Sequence, residues 1–442
     1  MRYCSKLELA LAFVAIVGAA WIPANARAQD FLADRAASEG PGFKVGRIVL
    51  HPGLALEGGY DSNVFLQNAQ KEDSFILRLT GYLDVATEGA ERQSEGETNK
   101  AAPQKIQFRG GLGARYYHYF IDRIPDNLGG DAHIDLSYNP SPVFSLQVRD
   151  TFRRTIRPFS DPNTLEGTTI SYGFNHNTAS VDFVGRSKSQ VLEGRVGYTN
   201  VLGFFDASVY QYGDSMTHRV PASLSWLFFP NSALVYSFDY AHQTFKNPDE
   251  ILDSPTLLSD NNRVANSIGY NGAITERFSM TAMIGYSVGL YEIAQDFDAV
   301  IASVDARWQP RPTIGFNAGF IRDVIPSFIG NFTTINRLHA TTRFTIAGAF
   351  LLGLKASVSF DKSGLALNPD GMLLGTQPDR KDIRVIAGIF GEYRFKAWLA
   401  LFAEISYLAD FTDFQYLGTD PLLDPTADYQ RFDAWLGIRV FY

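Results

Sequence analysis

The stretch YQRFDAWLGIRVFY, residues 429–442, decides the fold. Apolar side chains occupy every second position of it, at Phe432, Ala434, Leu436, Ile438, Val440 and Tyr442. The positions between them include Arg431, Asp433, Gly437 and Arg439. Because alternate side chains of a strand point to opposite faces, this pattern predicts a β-strand with one apolar face and one polar face.

This ending resembles the C-terminal β-signal of bacterial outer-membrane barrels, which their insertion machinery reads. The residues that carry the resemblance are Leu436, Ile438, Val440 and Tyr442. The resemblance implies a closing strand that faces lipid and a barrel-insertion machinery as an assembly partner. Taken alone, the stretch also fits an edge strand of a secreted β-sandwich.

The first 28 residues have the pattern of a secretory signal peptide. Arg2 and Lys6 precede an apolar run, Leu9–Ala20, that is too short for a mature membrane helix. An A-x-A cleavage site follows at 26–28, although a membrane anchor is the alternative. We therefore predict a signal peptide at 1–28, a short periplasmic leader at 29–46 and a β-barrel at 47–442. The only cysteine, Cys4, would leave with the signal, so we expect no disulfide and no thiolate site.

Composition favours a barrel over a helical membrane protein. The chain has 442 residues, of which 45% are hydrophobic, and its mean hydropathy is −0.09. After the signal, no apolar stretch approaches the ~20 residues of a spanning helix. Aromatic residues nevertheless reach 14% and glycines number 38, as in transmembrane barrels. The net charge of −8 argues against nucleic acid as a partner.

Alternating segments with the length of membrane-crossing strands recur along the chain. We count eighteen of them: 47–60, 75–87, 105–120, 129–139, 143–155, 169–186, 190–200, 213–228, 232–245, 262–274, 278–291, 298–309, 313–323, 333–347, 350–362, 381–395, 398–409 and 429–442. The sequence therefore predicts an all-β chain, a single antiparallel transmembrane barrel of about 18 strands in the outer membrane. The first and eighth segments contain Pro52 and Pro221, which predict a strand end or a bulge there.

The connections between these segments alternate in length. Tight turns are predicted at 139–142, 187–189, 230–231, 275–277, 310–312, 348–349 and 396–397. Longer polar connections are predicted at 61–74, 156–168, 246–261, 363–380 and 410–428. A bacterial barrel has short periplasmic turns and long external loops, which this order matches. The acidic segment 88–104 breaks the order, and we interpret it as a disordered periplasmic loop.

Aromatic residues cluster beside the predicted short turns, as in the interfacial girdle of a barrel. They are Tyr138, Trp226, Phe228, Trp308, Tyr393, Trp398 and Tyr442.

No catalytic, cofactor or metal site is predicted, and we do not expect an enzyme. The seven histidines are scattered and match no hydrolase or metalloprotease motif, and His339 reads as a lumen residue. The predicted loop 410–428 is rich in aspartate and could bind calcium, although its spacing fits a solvated external loop better.

Charged residues at alternate positions are expected to line the lumen. The candidates are Arg109, Arg115, Arg149, Arg195, Arg337, Arg343, Lys355, Arg384, Glu404 and Arg439. They would form either salt-bridge ladders that stiffen the wall or a polar, mildly basic channel, with acidic charge concentrated in the loops and at 88–104. In the last strands, Phe344, Leu354, Val385 and Ile438 would face lipid instead.

The first predicted hairpin is similar to that of the β-barrel porin-2 family of outer-membrane proteins. It contains Tyr60, Asp61, Ser62, Asn63, Val64 and Phe65, followed by Asp73-Ser74-Phe75 at the start of the next segment. The resemblance implies an outer-membrane channel that exports exopolysaccharide. It also implies periplasmic polysaccharide-export components as partners. On the residues themselves, Asp61, Ser62 and Asn63 are turn formers, and Tyr60 and Phe65 are expected at the outer interface.

Two classes of function remain open from the sequence. The first is a channel for polysaccharide or for small hydrophilic solutes, and the second is a structural or adhesive barrel filled by side chains. Barrels of 16–18 strands leave an aqueous channel, so the strand count favours the first class. Residues 29–46 are too few for a plug domain, so none is expected.

Replacing Tyr442 with Asp should prevent membrane assembly, because the aromatic ring ends the apolar stripe of the closing strand. The variant should accumulate as protease-sensitive periplasmic protein, measured by cell fractionation and by gel mobility with and without heating. Normal heat-modifiable folding of Tyr442→Asp would show that these residues are not a β-signal.

Overall fold

A computed structural model describes most of the chain beyond its first 39 residues. The described residues are 40, 42–69, 71–87, 104–122, 124–156, 173–206, 211, 213–245, 260–292, 295–327, 331–365, 379–415 and 427–442. The predicted signal peptide and most of the acidic segment 88–104 lie outside them. Within these ranges, no helix is long and apolar enough to cross a membrane.

The described residues form nineteen strands and no helix. They are β1 (Phe43–Val45), β2 (Ile48–Asp61), β3 (Ser74–Thr87), β4 (Ile106–Tyr119), β5 (Asn127–Ser141), β6 (Phe144–Thr155), β7 (Phe174–Arg186), β8 (Leu192–Phe205), β9 (Ser215–Phe229), β10 (Ser232–Phe245), β11 (Asn261–Thr275), β12 (Phe278–Tyr291), β13 (Phe297–Arg311), β14 (Ile314–Pro326), β15 (Phe332–Ile346), β16 (Phe350–Leu365), β17 (Asp379–Lys396), β18 (Leu399–Thr412) and β19 (Tyr429–Phe441). Each of the eighteen predicted segments corresponds to one long strand.

The eighteen long strands close into one antiparallel barrel, which confirms the predicted fold. Each strand from β2 to β18 pairs with the next one along the chain, and β19 returns to pair with β2. At this closing contact, the seam, Phe441 lies opposite Gly53 and Asp433 lies opposite Asp61. Closure leaves no long strand with a free edge, which a barrel in lipid requires.

The two ends of the barrel differ in their connections. At one end, here the turn end, tight connections such as 230–231, 276–277 and 312–313 join consecutive strands. At the other, the loop end, longer connections such as 62–73 and 206–214 join them. The connections 292–296 and 327–331 are short although they lie at the loop end. Because β2 starts and β19 stops at the turn end, the alternation agrees with a barrel whose turn end is periplasmic.

The outer face of the barrel is apolar and exposed, as lipid contact requires. On the closing strand, Leu436, Ile438 and Val440 are all more than two-fifths exposed. The aromatic residues predicted beside the turns are also exposed on this face: Tyr138, Trp226, Phe228, Trp308, Tyr393, Trp398 and Tyr442. Such a belt with an aromatic girdle is the exterior of an outer-membrane barrel.

A short strand that the sequence analysis missed covers the turn end of the seam. β2 extends past the end of β19, and β1 folds back through Gly46, at φ 65°, to pair with Ile48–Leu50. Three residues carry too little alternation to signal a strand. The ring of Phe43 stacks on that of Tyr442 at a centroid distance of 4.0 Å, so β1 also covers the last residue of the closing strand.

Both prolines lie inside long strands, so the expectation of a strand end or bulge at each was wrong. The Pro52 carbonyl accepts a hydrogen bond from the Tyr442 N–H, on the last rung of the seam. A proline there leaves few ladder bonds unmade, because β19 ends at this level. Pro221 lies where the β8–β9 ladder is interrupted between the Val196–Ala222 and Thr199–Arg219 pairs, while the register continues unchanged.

Adjacent positions at the middle of β13 test which face meets lipid. Val304 is 39% exposed on the outer face, and Ser303 lies on the other face, opposite Met283 and Ile321. Val304→Arg should cost ~2–4 kcal/mol in the folded membrane state, whereas Ser303→Arg should be tolerated because it points into the barrel beside Asp305. The folded fraction on heat-modifiability gels measures both. Equal yields would contradict the assigned faces.

Candidate functional site: the inner face of the barrel

Ion pairs between strands that are not neighbours identify the inner face. Arg263 on β11 donates to Asp323 on β14 at 2.6 Å. Lys355 on β16 donates to Glu404 on β18 at 2.9 Å, across the intervening β17. Side chains from non-adjacent strands converge only on the concave side of a sheet. The face that carries these pairs is therefore the inside of the barrel.

All ten predicted lumen residues lie on this inner face, by the strand register. They are Arg109, Arg115, Arg149, Arg195, Arg337, Arg343, Lys355, Arg384, Glu404 and Arg439. Several of them are ion-paired: Arg115 with Asp131 at 2.5 Å, Arg149 with Asp135 at 2.6 Å, Arg384 with Asp361 at 3.4 Å and Arg439 with Glu392 at 3.4 Å. Ion pairs are therefore present on the inner face, as salt-bridge ladders would require.

The inner wall beside the seam is closely packed at the turn end. Glu392 lies between Arg394, at 2.7 Å, and Arg439, at 3.4 Å. The Arg439 guanidinium lies 3.9 Å from the centroid of the Phe402 ring, and that of Arg394 lies 4.8 Å from the Phe441 ring. Charge pairing and stacking on aromatic faces both stabilise guanidinium groups away from bulk water. These arginines therefore brace the closing strands.

A second packed cluster lies beside the seam at the loop end. Arg380 is 2% exposed and donates to Asp382 at 2.9 Å and to Asp410 at 3.1 Å. Arg431, nearby on β19, contacts Asp433 at 2.7 Å and Asp61 at 3.3 Å. Buried charges persist only when they are paired and hydrogen-bonded. These pairs connect β2, β17, β18 and β19, the strands that close the barrel.

The hairpin residues of the family resemblance also act at the seam. Ser62 extends the ladder by donating its backbone N–H to the Phe432 carbonyl at 3.0 Å. Its side-chain hydroxyl oxygen accepts from the Phe432 N–H at 2.7 Å. The fully buried Asn63 side chain donates to the carbonyls of Gln67, at 2.7 Å, and Gln430, at 2.9 Å. The backbone N–H of Asn63 donates to the Asp61 carboxylate at 2.9 Å. Asp61 and Asn63 thus join the first loop to the closing strand, in addition to turning the chain.

The connections after β2, β4 and β6 contribute described residues to the inner face at the loop end. Their residues Val64, Ile124 and Ile156 form a buried apolar cluster with Ile76 and Tyr119 of the wall. Phe65 packs against this cluster, so its predicted place at the outer interface was wrong. The outward ring of Tyr60 lies 5.4 Å from that of Phe75. Two of these loops are mostly polar in sequence, which gives no sign of their inward apolar contacts. Alternation applies to strands and makes no prediction for loops.

The wall away from the seam is open. Arg149 is 60% exposed and its partner Asp135 is 41% exposed. Arg219 on β9 is exposed beside Asp239. Exposed pairs of this kind contribute little to stability. Their charged groups are accessible to solvent.

Five of the seven histidines contact acids, hydroxyl groups or amide groups: His118, His133, His218, His242 and His339. His339 lies 3.2 Å from an oxygen of Asp305 on the inner face. His118, on the outer face at the loop end, lies 2.6 Å from Asp126. Hydrogen bonds from Tyr116 and His118 hold the pKa of Asp126 below its usual value. These contacts tie neighbouring strands together.

The aspartates at 410–428 divide into two groups. Asp410 lies in β18 and is buried against Arg380, so its assignment to a solvated loop was wrong. Asp420 and Asp424 lie outside the described residues. Among the residues that the structure describes, no group of three or more acids, histidines or cysteines is arranged to hold a metal ion.

The charged residues of the seam wall that were missed include Glu57, Arg78, Arg380 and Arg394. A signal for two of them was present, since Arg380, Asp382, Arg384, Glu392 and Arg394 all occupy even positions of β17. Arg380 was placed in a loop because the predicted strand began one residue after it. Arg78 ion-pairs with Glu57, and its guanidinium lies 4.1 Å from the centroid of the Trp435 ring.

No protein-family model matches the chain, and no curated protein sequence matches it. Its fold is similar to solved structures of low sequence identity. OccAB4 from Acinetobacter baumannii is 11% identical, with 89% of this chain and 98% of that chain covered and a TM-score of 0.42. The outer membrane protein OpdK from Pseudomonas aeruginosa is 9% identical, with 89% and 99% covered and a TM-score of 0.41. The FrpB iron transporter from Neisseria meningitidis, F5-1 variant, is 10% identical, with 91% and 82% covered and a TM-score of 0.45.

These similarities concern the fold alone. The closed strand order and the apolar exterior show, without them, a barrel of the outer-membrane type.

Arg380→Met should destabilise the barrel by ~3–5 kcal/mol, because it leaves Asp382 and Asp410 buried without their cation. Arg149→Met is the matched control, which breaks an exposed pair and should cost less than ~1 kcal/mol. Urea unfolding in lipid vesicles, followed by tryptophan fluorescence, compares the two variants. Similar losses would show that the seam cluster is no more important than an exposed pair.

Proposed function

We propose that this protein is a porin-like channel of the bacterial outer membrane. The observation that supports it best is the exposed, charged inner wall away from the seam, exemplified by Arg149 and Arg219. Side chains that filled the lumen would bury these groups at a high desolvation cost. An aqueous lumen is also what a barrel of 16–18 strands leaves.

The packed seam wall favours a restricted opening over a wide one. Loop residues Val64 and Ile124 cover part of the inner face at the loop end. The free cross-section is therefore smaller than the strand number alone implies. Hydrophilic solutes would pass along the open wall, where paired charges offer hydrogen-bonding groups without closing the path.

Exopolysaccharide is the finer proposal for the solute. Its support is the resemblance of the hairpin at 60–65 to the β-barrel porin-2 family, which also implies periplasmic export components as partners. Small hydrophilic solutes are the alternative that the lumen chemistry supports without any resemblance. A sugar chain needs a continuous row of hydroxyl-binding groups, whereas a small solute needs only water and charge.

The refolded protein should give discrete, ohmic conductance steps in a planar bilayer, because an aqueous lumen conducts salt. Liposome swelling with neutral sugars of increasing length should then give the size limit of the lumen. Heat-modifiable, folded protein that gave no conductance would refute the channel and support a structural or adhesive barrel. If neutral sugars of every tested length passed equally readily, the result would argue against a specific polysaccharide exporter.

A further inference from the structure

Charge is distributed unequally along the barrel axis. The turn end comprises the turn-end connections and the four strand positions next to each of them. Basic residues lie in its described connections, at Arg47, Lys105, Lys188 and Arg277, and at the strand ends beside them, at Arg311 and Lys396. Among the described residues of this end, the acids are Asp84, Glu193 and Glu276. The described residues of the turn end are therefore mostly basic. This excess exceeds the contribution of Glu392 and the net negative charge of the sequence 88–103, which joins β3 to β4 at the same end.

The inner face at the turn end is basic as well. Arg109 on β4, Arg195 on β8 and Arg343 on β15 point inward and are spaced around the mouth. Within the described part of the chain, no ion pair or hydrogen bond of the Arg195 side chain is found. Arg394 and Arg439 share a single carboxylate, that of Glu392. A solute entering here would meet cationic groups on several sides.

The loop end has the opposite character. Its connections and adjacent positions carry many acids, including Asp73, Asp126, Asp214, Asp260, Asp296 and Asp413. Basic residues of this end are largely occupied by acids, since Arg263 contacts Asp323 and Arg380 lies between Asp382 and Asp410. The excess charge at the loop end is therefore negative.

From this axial asymmetry, we infer that the barrel is a path for anionic hydrophilic solutes, which it collects more readily at the basic turn end than at the loop end. A basic mouth with low-dielectric walls raises the local concentration of anions, and an acidic mouth raises that of cations. Anions are thus collected at the turn end and are less readily collected at the loop end. The inference rests on the proposed channel function and specifies its solute class and direction.

The asymmetry has an electrical consequence. When the loop-end side is positive, anions leave the turn end and cations leave the loop end, so each carrier moves from the mouth where it is enriched. Reversing the voltage draws each carrier from the mouth where it is depleted. The current should therefore be about twofold or more larger with the loop-end side positive at low salt, where screening is weak.

The test uses the full-length protein in planar bilayers, in low salt. A cysteine introduced at Lys71, in a loop-end connection, is labelled from one side with an impermeant maleimide to fix the orientation. Current–voltage curves are recorded, and then a short oligogalacturonate, a chain of carboxylated sugars, is added to either side. We expect it to reduce the current at about tenfold lower concentration from the turn end. Neutral maltohexaose should show no such preference.

Two double variants with the same change in net charge locate the effect. Arg195→Gln with Arg343→Gln removes charge from the turn-end mouth and should reduce both the current asymmetry and the side preference. Lys362→Gln with Lys381→Gln removes positive charge from exposed residues of β16 and β17 at the loop end, which makes that mouth more acidic, and should preserve or increase both. Equal effects of the two double variants would refute the mouth as the origin.

The wild-type protein alone decides the main point if a variant fails to fold. A conducting wild-type barrel with a symmetric curve and equal block from both sides would overturn the inference and leave the channel function intact. A folded barrel without conductance would overturn both. Larger current or stronger block in the opposite direction would show that the basic mouth does not collect the anion.

Discussion

The pairing of β19 with β2 is the constraint on which the rest of the molecule depends. In lipid, every backbone N–H and C=O must be paired within the protein, and an open sheet would leave two unpaired edges. The strongest side-chain contacts gather where this ring closes, as shown by Arg431 between Asp61 and Asp433 and by the buried amide of Asn63. All the other pairs of long strands join neighbours along the chain, but the closing pair joins the first long strand to the last. Its loop-closure entropy must be offset by contacts that no turn supplies.

Closure also explains why the inner face has two kinds of wall. Beside the seam, arginines are ion-paired, stacked on Phe402 or Phe441 and withdrawn from water. Their charge therefore stabilises the contact between strands. Away from the seam, short hairpins already fix the strands, and pairs such as Arg149–Asp135 stay exposed. The same residue type on the same face therefore serves two purposes. What separates them is how much cross-linking each part of the ring needs beyond its backbone ladder.

The sequence predicts the strands and their faces well because both follow from a period of two. A one-residue slip would turn the lipid-facing stripe of a strand into the barrel, so the alternation of each strand specifies its register. Loops obey no such rule. Phe65 packs inward against the cluster that contains Ile124. Asp410 belongs to a strand that extends beyond its apolar stripe. The alternation of apolar and polar residues predicts neither position. The seam cluster is likewise formed by residues far apart in sequence, such as Arg380 and Asp410, whose contact depends on the three-dimensional closure.

The charge asymmetry along the axis arises from a simple division of turn chemistry. At the turn end, the chain reverses within a few residues, and basic side chains such as Arg277, Arg311 and Lys396 occupy or adjoin those reversals. At the loop end, aspartates cap the strands through backbone hydrogen bonds, as Asp214 does for Phe205 and Asp260 for Phe245. Each such carboxylate stabilises a loop locally and adds negative charge to the same mouth. A field along the lumen therefore follows from how the strands are joined, and the inward arginines at the turn end extend it into the path that a solute would take.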